Sequence, residues 1–265
     1  MPDLLLPASP RAPGRSPVRI HLRERGAGPA VLLLHGGWGY EAYPFDAAFD
    51  ALAPARRVLA PDRTGYGRSE PVDGLARGFH VRMAEETLRV LDALGVERAA
   101  LWGHSDGAVV AAWVAILAPE RVTAVVLEAA HFLAAKPSSI PFFRTGLERP
   151  EDFGPEVVDA LRRDHGERWR AVTAAGARAW LDIIDEGLAG RADLYDGRLG
   201  ELRAPVLFLH GRRDPRTEPG ELEAARRALP GARLELVDTG HSPHTSKMAG
   251  AQAVSAAAAF VLAHG

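Results

Sequence analysis

A short segment with a serine at its centre indicates chemistry most directly. The sequence GHSDG, residues 103–107, follows the apolar run Ala99–Trp102 and opens the apolar segment Ser105–Leu117. A Gly-x-Ser-x-Gly pattern between a strand and a helix predicts a sharp turn that lifts the serine hydroxyl above a sheet. The pattern also arises by chance, and a serine at this place can simply cap a helix. The assignment of Ser105 as a nucleophile therefore depends on the predicted strand and helix on either side of it.

A base must take the proton of such a serine, because a serine hydroxyl alone is a weak nucleophile. His241 lies in the segment GHSPH, residues 240–244, which follows the apolar run Leu234–Val237. A loop after the last strand of a sheet can bring its side chains to the sheet edge where Ser105 is expected. We predict His241 as the general base, with His244 as a competitor that is expected to lie at the surface or at the pocket edge.

The imidazole needs an acid that fixes its tautomer and stabilises its charged form. Asp214 follows the apolar run Val206–Leu209, which gives the chain order serine, aspartate, histidine. Glu128 ends the apolar run after the predicted nucleophile helix and is the first alternative. Asp238 lies near His241 in the chain but suits a turn equally well. We predict Asp214 as the acid.

Acyl transfer also needs two N–H groups that hold the negative oxygen of the tetrahedral intermediate. The backbone N–H of Asp106, the residue after the nucleophile, is the expected first donor. The segment HGGWG, residues 35–39, follows the apolar run Leu32–Leu34, and its glycines let the backbone approach a substrate closely. Gly37 is the predicted second donor, and Trp38 is the alternative.

Apolar segments of strand length recur along the chain and alternate with segments of helical periodicity, which predicts an α/β fold with a mostly parallel sheet flanked by helices. Val18–Arg25 alternates as a half-exposed strand, and Phe79–Leu94 has apolar residues at helical spacing. The runs that read as strands buried on both faces are Ala30–Leu34, Val58–Pro61, Ala99–Trp102, Val122–Leu127, Val206–Leu209 and Leu234–Val237.

One stretch interrupts this alternation and predicts an inserted helical lid over residues 132–203. It begins with several prolines and has helical character from about Pro155 to Leu188, with no strand pattern. The α/β core is then formed by residues 18–131 and 204–265. Residues 1–17 hold five prolines and are expected to be an extended, mobile segment.

Composition narrows the classes of function. The 265 residues carry a formal net charge of −2, so no basic excess indicates a nucleic-acid partner. The chain has no cysteine, which excludes thiol catalysis and thiolate metal sites. No signal-peptide core or membrane-spanning run is found. We therefore expect a cytoplasmic protein that contacts neither membrane nor nucleic acid, with no metal and no cofactor; the sequence does not indicate an oligomeric state.

These features together resemble the α/β-hydrolase superfamily, in its capped serine esterase branch. The resemblance implies an α/β-hydrolase fold with an inserted cap, and it assigns the catalytic roles to Ser105, Asp214 and His241. A serine at position 105 departs from epoxide hydrolases and haloalkane dehalogenases, which have aspartate there. The matching segments are LLLHGG at residues 32–37, PDRTGYGRS at 61–69, GHSDG at 103–107, LHGRRD at 209–214 and GH at 240–241.

Ser105-Asp106-Gly107 resembles the valacyclovir-hydrolase (biphenyl-hydrolase-like) type, in which the aspartate is thought to meet the amino group of an amino-acid ester. This resemblance would make Asp106 selective for cationic substrates; the alternative is that Asp106 contributes only its N–H. Further residues expected to contact a small-molecule substrate are Trp38, His104, Phe142 and Trp180, with Trp102, Phe143 and Trp169 as other aromatic candidates.

The expected function is hydrolysis of a carboxylic ester through an acyl-enzyme intermediate. The same triad also suits cleavage of a carbon–carbon bond in a dienoate, lactone hydrolysis or perhydrolysis. A non-catalytic protein that binds a small molecule is the alternative from another class.

Overall fold

The computed structural model describes residues 3–265, and its centre is a seven-stranded sheet. The strands of the protein are β1 (Leu4–Leu6), β2 (Val18–Ile20), β3 (Leu22–Arg25), β4 (Ala30–Leu34), β5 (Arg57–Pro61), β6 (Ala99–His104), β7 (Val122–Glu128), β8 (Val206–Gly211) and β9 (Arg233–Val237). The helices are α1 (Asp46–Leu52), α2 (Phe79–Ala93), α3 (Asp106–Leu117), α4 (Ile140–Glu148), α5 (Pro155–His165), α6 (Trp169–Leu188), α7 (Glu221–Ala228) and α8 (Gly250–His264).

The sheet has the order β3-β5-β4-β6-β7-β8-β9. All neighbouring pairs are parallel except β3 with β5. The carboxyl ends of the parallel strands therefore lie at one edge, where side chains from separate loops can meet. Strand β6, which leads into the serine turn, lies in the middle of the sheet, so this edge is well supported on both sides.

Helices cover both faces of the sheet. Leu32 and Leu34 of β4 pack into a core with α2 and α3, while Val31 and Leu33 pack into a second core with α1 and α8. Because successive side chains of a strand point to opposite faces, a continuous apolar run supplies both cores. This explains why the predicted buried strands are apolar throughout.

The amino-terminal segment differs from the expectation of a mobile chain. Strand β1 pairs antiparallel with β2, and the side chains of Leu6 and Ile20 pack against Val90 of α2. The predicted single strand Val18–Arg25 is divided at His21, so that β2 and β3 belong to separate sheets. A run of three leucines is too short to predict a strand from sequence. The strand forms because these residues pair with β2, which lies further along the chain. Met1 and Pro2 lie outside the described residues.

Helices α4, α5 and α6 lie in the insertion between β7 and β8. The predicted helical stretch Pro155–Leu188 is broken by a turn of 3₁₀ helix at Gly166–Arg168, and α4 adds a helix before it. Helices α4 and α6 pack against each other and contribute side chains to a cavity above Ser105. Movement of this insertion as a lid stays a prediction.

Within residues 3–265, no helix combines the length and the apolar character that a membrane crossing requires.

Candidate active site

The turn between β6 and α3 holds Ser105 in an uncommon backbone conformation, with φ of 54° and ψ of −120°. A β-carbon at Gly103 would lie 2.1 Å from the carbonyl oxygen of Gly107, and one at Gly107 would lie 2.0 Å from that of Leu34. Both glycines are therefore required by close backbone packing. The strained turn, rather than the pentapeptide alone, presents the Ser105 hydroxyl at the carboxyl edge of the sheet.

Three loops bring Ser105, His241 and Asp214 together at this edge. The Ser105 hydroxyl oxygen lies 3.0 Å from Nε2 of His241, and Nδ1 of His241 lies 2.8 Å from Oδ2 of Asp214. All three side chains are buried. With Nδ1 donating to the carboxylate, Nε2 is free to accept the serine proton, which is the arrangement that activates a serine.

The alternative acids are engaged elsewhere. Glu128 accepts hydrogen bonds from Nδ1 of His244 at 2.7 Å and from Nε1 of Trp102 at 2.8 Å. Asp238 forms an exposed ion pair with Arg213. The histidine competitor His244 is therefore part of a separate buried carboxylate–imidazole pair, and Asp214 is the carboxylate that contacts His241.

His104, Glu128 and His244 also form the group among the described residues whose ligand atoms are close enough for a metal ion, within 4.8 Å of one another. Glu128 is already bonded to His244 and Trp102. Nε2 of His104 lies 3.2 Å from the carbonyl oxygen of His241. These contacts are those of a hydrogen-bonded network that ties the serine turn to the histidine loop.

The loop after β4 packs directly on the serine turn. A β-carbon at Gly36 would lie 3.4 Å from Cβ of Ser105, and one at Gly37 would lie 2.4 Å from Oδ2 of Asp106. Glycine therefore permits the close approach that an oxyanion donor needs. Within residues 3–265, the N–H groups of Gly37, Trp38 and Asp106 have no protein acceptor, so the choice between Gly37 and Trp38 as second donor stays open.

The carboxylate of Asp106 is buried beside Ser105 and is held from two sides. Its Oδ1 accepts hydrogen bonds from Nε2 of His80 at 3.0 Å and from Nε1 of Trp180 at 2.9 Å. Burial by itself raises the pKa of this carboxyl, but the hydrogen bond and charge of His80 outweigh burial and lower it. The residue joins α2, α3 and α6 through these bonds.

A narrow cavity lies above Ser105, and the space between its walls, including the mouth, is about 510 Å³. All of the residues predicted as substrate contacts line it, and so does the further aromatic candidate Phe143. The other two aromatic candidates, Trp102 and Trp169, do not. Trp102 is buried in the sheet, and Trp169 packs with α5. The predicted residues at the wall are Trp38, His104, Asp106, Phe142, Phe143 and Trp180.

Among the polar residues of the cavity that the sequence reasoning missed, two are titratable groups beside the relay, His131 and Arg216. Nε2 of His131 lies 3.4 Å from the Ser105 hydroxyl oxygen, and its ring stacks on that of His241. His131 follows the carboxyl end of β7, and Arg216 follows that of β8. This position after a strand was the one feature of the sequence that could have indicated a site residue. Their convergence on one cavity depends on how α4 and α6 close over the sheet.

Burial controls the protonation of the triad. It lowers the pKa of His241, the positive charge of Arg216 lowers it further, and the hydrogen bond that His241 donates to Asp214 opposes both. Burial by itself raises the pKa of Asp214, yet the hydrogen bond and charge of His241 bring it down to about 2. At neutral pH the site therefore holds a neutral imidazole beside a carboxylate, as a general base requires.

Comparison with known proteins agrees with this fold. Residues 29–193 match the family described by the alpha/beta hydrolase fold. The chain belongs to the α/β-hydrolase family. The match covers the serine turn, the loop after β4 and most of the helical insertion, and it confirms the predicted fold.

Curated relatives of this α/β-hydrolase have names of several hydrolase types. It is 40% identical over 226 residues to 2-hydroxymuconate semialdehyde hydrolase of Pseudomonas sp. strain CF600, covering 74% of each chain. It is 32% identical over 166 residues to an epoxide hydrolase of Caballeronia sordidicola, covering 62% of this chain and 50% of that protein. The chain spans about half the length of the first curated relatives that it matches.

Among solved structures, the enol-lactonase of Burkholderia xenovorans LB400 superposes with a TM-score of 0.72 at 20% identity. This superposition covers 92% of this chain and 97% of the lactonase. At this level of identity the likeness establishes the fold alone.

Proposed function

We propose that this α/β-hydrolase is a serine hydrolase that cleaves a carboxylic ester of a small molecule through an acyl-enzyme intermediate. The observation that supports this best is the continuous relay from Ser105 through His241 to Asp214, with contacts of 3.0 and 2.8 Å. The cavity above the serine is narrow and largely aromatic, which suits a small substrate with an apolar part.

The first half of the reaction forms the acyl-enzyme. The Ser105 oxygen attacks the ester carbonyl carbon while Nε2 of His241 takes the hydroxyl proton, and Asp214 stabilises the resulting imidazolium. The N–H group of Asp106 and that of either Gly37 or Trp38 hold the negative oxygen. The tetrahedral intermediate then collapses, the carbon–oxygen bond to the alcohol breaks, and His241 gives its proton to the departing alcohol.

The second half regenerates the serine. His241 takes a proton from a water molecule, whose oxygen attacks the acyl carbon, and the same N–H groups hold the second oxyanion. The bond to Ser105 breaks, the serine oxygen receives the proton back from His241, and the carboxylic acid leaves. The balance needs only ester and water.

A panel of p-nitrophenyl esters with short acyl chains tests this proposal. Ser105→Ala is expected to lower kcat by roughly 10⁴-fold or more, because the nucleophile is lost. The exposed Ser255 of α8 provides a matched control, and Ser255→Ala should retain wild-type rates. A serine-directed phosphonate should add one label, on Ser105. Labelling at another serine, or full activity of Ser105→Ala, would contradict the mechanism.

Cleavage of a carbon–carbon bond by the same triad is the second candidate. Its support is the 40% identity to a protein named 2-hydroxymuconate semialdehyde hydrolase. The panel should therefore include 2-hydroxymuconate semialdehyde itself. Turnover of this compound without turnover of any ester would favour the second candidate over the first. Equal inactivity of wild type and Ser105→Ala toward all compounds would favour a non-catalytic binding protein.

A further inference from the structure

Arg216 brings a positive charge to the wall of the cavity above Ser105. It lies in the loop after β8, two residues beyond Asp214, and its backbone N–H donates to Oδ1 of that aspartate at 2.9 Å. The position of Arg216 is therefore coupled to the acid of the relay. None of the steps proposed above uses its side chain.

The guanidinium rests on aromatic rings of the same cavity. Its central carbon lies 3.6 Å from the ring centre of Phe142 and 5.7 Å from that of Trp38. A ring that covers the flat face of a guanidinium leaves the N–H groups at its edge available for hydrogen bonds. This packing holds the head group of Arg216 in place. The hydroxyl of Tyr43 accepts a hydrogen bond from it, and one hydroxyl acceptor leaves the other guanidinium donors available.

The carboxylates near Arg216 already have other partners. Asp214 is bonded to His241 and lies 3.5 Å from Nε2 of His210, while Asp106 is bonded to His80. Within residues 3–265, no carboxylate oxygen lies within 4.0 Å of an Arg216 nitrogen. Arg216 is thus a cation in an enclosed site without a protein counter-ion.

Such a cation favours an anionic ligand. An arginine remains charged at neutral pH in a protein, and its fork of N–H donors matches the two oxygens of a carboxylate. A charge removed from water is costly unless it is paired, so a ligand that supplies the missing carboxylate is selected over a neutral one. The carboxylate of Asp106 at the same wall already accepts hydrogen bonds from His80 and Trp180 through its Oδ1.

We propose that Arg216 is a carboxylate-binding residue and that the substrate carries a free carboxylate apart from the bond that is cleaved. Half-esters of short dicarboxylic acids are the simplest members of this class. The identity of the cleaved bond rests on the proposed function, whereas carboxylate binding at Arg216 does not.

A binding measurement tests carboxylate binding at Arg216 separately from the proposed ester hydrolysis. Ser105→Ala is titrated with glutarate and with its uncharged analogue glutaramide, using calorimetry together with the fluorescence of the cavity tryptophans. Adding Arg216→Gln should weaken glutarate binding about 10- to 100-fold, the value of a charge-assisted hydrogen bond. Arg216→Lys should retain part of the affinity, because it keeps the charge without the fork.

Arg213→Gln is the matched control, since it removes the same charge from an exposed side chain three residues away that pairs with Asp238. It should leave glutarate binding within about twofold, because exposed charges are well screened. Thermal unfolding of each variant verifies that the fold is retained. Absence of glutarate binding, or equal affinity with and without Arg216→Gln, would overturn the proposal.

Measuring the turnover of two matched esters provides the second test of carboxylate binding at Arg216. Mono-p-nitrophenyl glutarate and p-nitrophenyl valerate have acyl chains of equal length and differ in the terminal carboxylate. Arg216→Gln should lower kcat/KM for the glutarate ester at least about tenfold more than for the valerate ester. Equal losses on both esters would count against a carboxylate contact. If glutarate binds through Arg216 but no ester is turned over, the proposed ester hydrolysis fails and the carboxylate site stands.

Discussion

The hydroxyl oxygen of Ser105 lies 3.4 Å from Nε2 of His131, in addition to its shorter contact with His241. The two imidazole rings stack with their centres 5.4 Å apart. Burial lowers the pKa of His131 well below its ordinary value, so this ring is neutral in the folded protein. His241 differs from it in having the hydrogen bond to Asp214, which stabilises a proton gained during the reaction.

The difference between these histidines predicts unequal effects of substitution. His241→Ala should lower kcat on a neutral p-nitrophenyl ester by about 10⁴-fold or more, because the general base is lost. His131→Gln keeps a polar group beside Ser105 and should lower kcat by about tenfold at most. Rates from a single purified preparation of each variant, normalised to protein concentration, provide the comparison. A loss at position 131 as large as at 241 would show that the base had been misassigned.

The protonation of His241 predicts how activity depends on pH. The groups around this imidazole are the carboxylate of Asp214, the charges of Arg216 and His210, and the rings of His104 and His131. Burial and Arg216 lower its pKa, and the base must be neutral to act. Activity is therefore retained below pH 6.5, the ordinary histidine value, and falls as pH drops through the lowered pKa.

The expected profile is measured as kcat/KM for a neutral ester between about pH 4 and 8. Arg216→Gln removes a positive charge and should move the acid limb to higher pH. Arg213→Gln, which removes an exposed charge, should leave the limb in place. A rate that stays flat across this range would be incompatible with His241 as the base.

The two buried carboxylate–imidazole pairs predict different consequences for catalysis. Asp214→Asn should lower kcat by about 10⁴-fold, because an amide stabilises the wrong tautomer of His241 and does not compensate its charge. Glu128→Gln should leave the shape of the pH profile unchanged, since Glu128 contacts His244 and Trp102 instead. Comparable losses of kcat in both variants would place Glu128 in the relay.

Glu128 should instead affect stability. Glu128 accepts buried hydrogen bonds from His244 and Trp102, and a hydrogen bond to a charged group contributes about 1.5–3 kcal/mol, so Glu128→Gln should lower the free energy of unfolding by that order at neutral pH. Burial opposes ionisation of Glu128, but His244 outweighs it and lowers the pKa from 4.5 to about 2. The stabilisation is therefore complete above pH 4.5 and is lost as pH falls toward 2.

Urea unfolding at neutral and acidic pH tests this, and the difference between wild type and Glu128→Gln should shrink on acidification. Asp238→Asn breaks the exposed pair with Arg213 and is the control, expected to cost less than about 1 kcal/mol. A difference that is constant with pH would contradict the assigned contribution of this carboxylate.

Asp106 predicts substrate effects that separate a structural role from a selective one. Its carboxylate bonds to His80 and Trp180, so Asp106→Asn should weaken the turnover of amino-acid esters and neutral esters alike. Measuring kcat/KM on an alanine ester and on the corresponding propionate ester, which share an acyl chain length, makes the comparison. A much larger loss on the amino-acid ester would support the role that the resemblance to valacyclovir hydrolase implies.

The local pattern of apolar residues and glycines in the sequence was sufficient to predict the main strands and the serine turn. The strand that leads to Ser105 is apolar throughout because both faces of a parallel sheet are buried, so its residues alone indicate its environment. The glycines at positions 103 and 107 were also predicted from sequence to be required by the turn. The structure gives the reason, because close backbone packing excludes a β-carbon at both positions. Ser105, Asp214 and His241 each follow the end of a strand, β6, β8 or β9, so their meeting at one edge of the sheet could be predicted.

Contacts between residues that are far apart in the chain could not be predicted from local sequence patterns. Strand β1 is three residues long, and its pairing with β2 depends on Val18–Ile20 and on the packing of Leu6 against α2. The choice of Asp214 over Glu128 required the distances to His241, because both carboxylates follow the end of a strand. In the same way, Arg216 has no motif around it, and its unpaired charge becomes evident only beside Phe142.

The sequence by itself determined the class of fold and the candidate nucleophile, because strand burial, glycine spacing and the order of loops are encoded in neighbouring residues. Tertiary structure decided which carboxylate contacts His241, that Asp106 is held by His80 and Trp180, and that the cavity has an unpaired cation at Arg216. The physical reason is that hydrogen bonds and ion pairs depend on distances of a few ångströms between side chains that are far apart in the chain. Those distances exist only in the folded protein, where the loops after β6, β8 and β9 meet and α4 and α6 cover the carboxyl edge of the sheet.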